Sequence, residues 1–131
     1  MTIQNYRDLL VWQKSMDLVT VVYQVTSKYP KHETYGLSSQ TQRASVSIPA
    51  NIAEGHDRDS TKEYLRHVSI AVGSLAELET LLSIAARLGY PSTAGDNELQ
   101  ASCRSLGRML RNLQRSLRAR QRHKDAETKT L

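Results

Sequence analysis

Six arginines, Arg104, Arg108, Arg111, Arg115, Arg118 and Arg122, recur at steps of 4, 3, 4, 3 and 4 residues. That is the period of an α-helix, so they lie along one strip of a single helix. A guanidinium is permanently charged and presents a planar fork of donors that matches phosphate or carboxylate oxygens. The chemistry these residues offer is recognition of a polyanion, not the making or breaking of bonds. Between Leu99 and Lys124 there are eight Arg or Lys and no Asp or Glu, so no neighbour along the helix neutralises the strip. Leu99, Cys103, Leu106, Leu110, Leu113 and Leu117 repeat at the same steps. They predict an apolar face with the arginine face opposite to it.

The net charge of +5 over 131 residues hides how local the basicity is: outside 99–124 the chain carries 10 basic and 13 acidic residues. A concentrated positive field suits nucleic-acid phosphates or an acidic protein partner, whereas scattered charge mainly serves solubility. The plain alternative for any charge run is a solvated helix face.

Other candidate residues point to structure more than to reaction. Arg43, Ser47, Asn51 and Glu54 occupy successive turns of one predicted helix, and Ser74, Glu77 and Thr80 do the same on the next. They read as a hydrogen-bonded network between helices or subunits, with Arg43 pairing with Glu77 or Glu79 and Asn51 satisfying a group freed by Pro49. A polar ligand site is the alternative. Glu77 and Glu79 are two apart on a helix and point in different directions, so they do not form an acid–base pair. Asp57 and Asp59 complement the positive end of the following helix. With His56 they also offer possible metal ligands in a loop, whereas the remaining histidines, His32, His67 and His123, are far apart and no pair has metal-ligand spacing. No nucleophile elbow or phosphate-cradling glycine loop is present, and Cys103, the single cysteine, sits at an apolar position. No metal, cofactor or enzymatic activity is expected. Trp12, Tyr23 and Tyr64 fall in apolar stripes. Tyr6, Tyr35 and Tyr90, near helix ends, are the freer candidates for stacking on unpaired bases, but none is interleaved with the arginines, so the sequence does not support a groove that stacks bases.

These residues must be held by helices. Asn5 predicts the cap of a first helix, with Asp8 in its first turn. Leu9, Trp12, Met16, Val19, Tyr23 and Thr26 form its core stripe, and a second stripe of Val11, Leu18, Val22 and Val25 leaves apolar width for another subunit. Tyr29-Pro30 ends it. A second helix spans about Leu37 to Glu54, kinked at Pro49 and closed by Gly55 as a left-handed cap. Ser60-Thr61-Lys62-Glu63 is a capping box opening a third helix, which stops at Leu88-Gly89-Tyr90-Pro91. Gly73 and Gly107 read as close-approach points. Asp96 is the expected cap of the fourth helix, which leaves the body near Arg120 and Lys124. The sequence thus predicts an all-α, antiparallel up-down-up-down four-helix bundle over 1–120 and a polar, disordered tail over 121–131. Met1 to Asp8 has no apolar signal region, and no run reaches the roughly 18 apolar residues of a membrane span. A cytoplasmic protein without a membrane partner is the expectation.

Two runs are more specific than a bundle requires: 42–55, QRASVSIPANIAEG, and 71–79, AVGSLAELE. With Leu10-Val11-Trp12-Gln13-Lys14 and Leu88-Gly89-Tyr90, they resemble the four-helix bundle family encoded by intervening sequences in bacterial 23S ribosomal RNA genes. The resemblance covers Tyr6 to Leu117. It implies a protein without established enzymatic activity. Relatives include the accessory protein of diversity-generating retroelements, a homopentameric barrel that binds nucleic acid and a reverse transcriptase. The resemblance therefore implies a homo-oligomer, with a pentamer as the expected form, and RNA or DNA, a reverse transcriptase or the ribosome as partners. From the residues themselves, the first reading is a bundle binding RNA or DNA through phosphates. The alternative is an oligomeric scaffold docking an acidic protein.

Overall fold

The computed structural model describes residues 5–91 and 94–130. Four α-helices make the fold: α1 (Leu10–Thr26), α2 (Leu37–His56), α3 (Thr61–Arg87) and α4 (Ala94–Thr130), with short 3-10 turns at Tyr6–Asp8 and Lys31–Glu33. No strand occurs among the described residues. Side chains pair across α2 and α3 with one number rising as the other falls, Ser47 with Ser74 and Asn51 with His67. The same holds for α3 and α4, Leu75 beside Gly107, Ser69 with Gln114 and Thr61 with Lys124. Both neighbouring pairs are therefore antiparallel. Each of the four helices packs against two others, α1 closing the ring against α4.

The core is aliphatic. Leu18, Val22, Ile48, Ile52, Val68, Leu78, Leu106, Leu110 and Leu117 are fully buried, each worth roughly 1.5–3 kcal/mol over an exposed side chain. Buried hydroxyls return to their own helix, Ser15 to the carbonyl of Trp12, Thr41 to that of Leu37 and Ser45 to that of Gln42, so they cost little. An 18-residue window of α3, mean hydropathy 1.5, is apolar and long enough to cross a membrane by length and composition. In this fold α3 is the partner of both α2 and α4.

Several expectations are corrected. In α1 the stripe that faces inward is Val11, Ser15, Leu18, Val22 and Val25, with Thr26, while Met16 is 42% and Tyr23 47% exposed. The inward residues lie within a broad apolar sector, so its edge, Trp12, Met16, Val19 and Tyr23, is what remains outside or half-buried. Asn5 caps the 3-10 turn, its side chain accepting from the Arg7 N–H, and α1 begins only at Leu10. Gly55 lies inside α2 and is not left-handed; the one described glycine with positive φ is Gly89, at 72°. Gly73 touches nothing that a Cβ would meet, whereas Gly107 lies under Leu75. α2 does continue through Pro49 as expected, but ends at His56 and not at Glu54. Asp96 lies within α4, two residues after its first, and is not the residue before it.

The tail expected to be disordered from residue 121 is helical through Thr130. Between Arg108 and Thr130 there is no Gly or Pro, and i to i+4 pairs support the last turns, Gln121 with Asp125 and His123 with Glu127.

Candidate nucleic-acid interface

All six arginines of the strip are exposed on α4. Among the described residues none of them joins an ion pair; the arginines that do are Arg58, with Glu54 at 2.9 Å, and Arg66, with Glu63 at 3.1 Å. Arg115 donates to the side-chain oxygen of Asn112, which orients its guanidinium without neutralising it. At the helical rise of 1.5 Å per residue the strip is about 27 Å long. Its Arg104 stands on the flank of α4 beside α3, lining a groove of about 400 Å3 with Glu79, Leu82, Ser83, Ala86, Gln100 and Cys103. The Cβ position of Gly107 likewise lies between Leu75 of α3 and the Arg111 guanidinium. The buried sector of α4 takes in Gln114 as well as the leucines, so its edge on the α3 side comes close to Arg104 and Arg111.

Rigid supports hold this strip in place. Leu99, Leu106, Leu110 and Leu117 anchor α4 in the core, and the Gln114 amide donates to Ser69 of α3 at 3.2 Å. Cys103 belongs to the same anchoring face. Burial, with Glu79 nearby, pushes its thiol pKa up to about 12, so it packs as an apolar residue and is not a nucleophile at neutral pH. Carried on an anchored helix and, among the described residues, without an ion-pair partner, the arginines can clamp successive phosphates or a run of carboxylates.

The polar network between α2 and α3 is only partly the expected one. Ser47 and Ser74 share a hydrogen bond of 2.8 Å, and the Asn51 amide donates to the Ser47 carbonyl at 2.8 Å and to its hydroxyl at 3.1 Å. The remaining acceptor of Asn51 faces Nδ1 of His67 at 3.0 Å. That fixes the proton of His67 on Nδ1 and leaves Nε2 to accept from Arg66. Glu54 stands 4.0 Å from the same Nε2. Arg43 takes no part: it donates to Ser39 on the exposed side of α2, and Glu77 and Glu79 are exposed on α3. His67, only 4% exposed, is the member the sequence reading missed. Its signal is its place at helical spacing before Ala71, Ser74 and Leu78 on the buried face of α3.

Among the described residues no three His, Cys, Asp or Glu side chains gather as a metal would require. The tyrosines divide. Tyr90 donates to Glu33 at 2.5 Å, Tyr64 packs edge-on against His56, and Tyr6 meets Trp12 and lies under the Arg7 guanidinium. Tyr35 is 96% exposed.

A crystal structure of a protein of unknown function from the S23 ribosomal protein family of Bacteroides thetaiotaomicron is similar in fold, with a TM-score of 0.71 and 20% identity. The match covers 80% of this chain and 98% of that one. No curated protein matches the chain. The family model of the 23S rRNA-intervening sequence protein matches residues 7–112, from the first 3-10 turn into the middle of α4. The chain belongs to that family.

Proposed function

We propose that this protein is a non-enzymatic, self-associating helical bundle that binds RNA or DNA through the phosphate backbone, using Arg104, Arg108, Arg111, Arg115, Arg118 and Arg122. The observation that carries the reading is the row of six exposed guanidinium groups without an ion-pair partner among the described residues. Charges that served only folding or solubility would gain from the i to i+4 carboxylates that α4 lacks over this stretch. Self-association is supported by the apolar edge of α1, where Met16 and Tyr23 stand exposed beside half-buried Trp12 and Val19. Symmetry would multiply the arginine row into an extended positive surface, with a pentamer as the form proposed.

Contacts of this kind read charge and not base identity, so binding shows little sequence preference. The test is equilibrium binding of a generic duplex to the wild type and to an R108A/R111A/R115A variant. The reading expects the variant to bind at least tenfold more weakly across unrelated sequences. Equal affinity would overturn it. Retrieval of a protein partner that survives nuclease treatment, together with absent duplex binding, would replace the nucleic acid with an acidic protein.

A further inference from the structure

The loop joining α1 to α2 displays an aromatic ring that is almost wholly exposed. Tyr35 is 96% exposed, and among the described residues it makes no hydrogen bond or ring contact. The backbone beneath it is nevertheless tightly held. The N–H of Glu33 donates to Pro30 at 2.9 Å, that of Thr34 to Lys31 at 3.1 Å and that of Gly36 to Glu33 at 2.9 Å. The Glu33 carboxylate then bridges the loop to the rest of the fold, accepting from the Tyr90 hydroxyl and, at 3.1 Å, from the N–H of Leu37. A stiff loop presenting a side chain with two torsions is a pre-organised contact, because little freedom is lost on binding.

Lys28 and Lys31, in the same connection as Tyr35, are exposed, as is Arg87 at the end of α3; Glu98 near the start of α4 is an exposed carboxylate at this end of the bundle. The one carboxylate in the loop, Glu33, is engaged with Tyr90 and the first turn of α2. This end also adjoins the arginine row: Leu82, Ala86 and Gln100 line both the cleft beneath Tyr90 and the groove that contains Arg104. Tyr29, from the connection that carries Tyr35, lines the first of these clefts, and Glu79 stands with Arg104 in the second.

We infer that Tyr35 is a stacking platform for an unpaired base, with Lys28 and Lys31 holding the adjoining phosphates, so that the preferred ligand is a nucleic acid with a single-stranded extension. The inference rests on the phosphate-binding reading of α4 and names its ligand class. A tyrosine face stacks on any base, and exposed lysines supply charge without sequence readout. The Tyr35 contact therefore adds affinity for unpaired structure while leaving sequence preference low.

The test compares a blunt duplex with the same duplex carrying a single-stranded extension, at fixed salt, for the full chain and its Y35A and Y35F variants. The extension is expected to tighten wild-type binding roughly tenfold, in the range of one base–aromatic stack. Y35A removes that gain and leaves blunt-duplex affinity unchanged, while Y35F keeps the gain because the ring remains. Absence of any gain from the extension, or a gain that persists in Y35A, overturns the inference. Failure of the α4 reading is seen separately, as blunt-duplex binding that the R108A/R111A/R115A variant leaves intact.

Discussion

At the scale of single residues, Gly55 shows how a side chain that is absent holds two helices together. A Cβ there would stand 2.7 Å from the Cβ of His67 and 3.3 Å from the Tyr64 carbonyl oxygen, neither of which is a flexible tip. Gly to Ala inside a helix ordinarily stabilises, but G55A is expected to cost about 1–3 kcal/mol by forcing α2 from α3. Urea unfolding measures it, and a stabilised variant would contradict the packing described. Asn51 is the neighbouring case. N51A strands the Nδ1 proton of buried His67 and is expected to cost about 1–3 kcal/mol in the same assay. The Glu33–Tyr90 pair gives a pH signature. Chiefly the Tyr90 hydrogen bond, and then the Leu37 N–H, hold the Glu33 pKa below its ordinary 4.5. A lowered carboxylate pKa contributes stability that is present above the ordinary value and is lost as pH falls through the lowered one. Wild-type stability should therefore decline in that acid window more than that of E33Q. Parallel decline of the two proteins in thermal melts across acid pH would show that the pair is not linked to folding.

At the scale of elements, the helices were legible because each carries its own period and end signals. Ser60 accepts from the Glu63 N–H as the box at 60–63 predicts, although the Glu63 carboxylate turns to Arg66, and α3 ends at Arg87 just before Gly89. The inward face of α1 was not legible. Both of its stripes are apolar, and only the positions of α2 and α4 decide which is enclosed. The polar network was half legible for a similar reason. Spacing aligned Ser47 with Asn51 along α2, but the register between helices decides that Asn51 meets His67 and that Arg43 meets neither Glu77 nor Glu79. The last turns of α4 follow from local composition whose polarity alone predicts a tail. Leu117 is the last buried residue of α4 among those described. Removing 121–131 should therefore change unfolding free energy by less than about 1 kcal/mol while lowering helical content by circular dichroism. Collapse of the fold on truncation would mean that the overhang contributes to the core.

At the scale of the whole molecule, the apolar edge of α1 and the basic flank of α4 are different faces that the proposed function uses together. M16E/Y23E places charge on the α1 edge without entering the core. It is expected to lower the mass seen by light scattering, with the monomer still folded. An unchanged mass would move self-association to another surface. Assembly would align several arginine rows, so avidity should fall with the mass even though no arginine has changed. The central claim, that exposed guanidinium groups on α4 bind phosphate, is tested most directly by the salt dependence of binding. Each phosphate neutralised on duplex DNA contributes a slope of about −0.9 in log affinity against log salt. The account predicts a steep wild-type slope, made shallower by about two to three per chain in R108A/R111A/R115A. A flat wild-type response, or a variant whose slope equals that of the wild type, would contradict it.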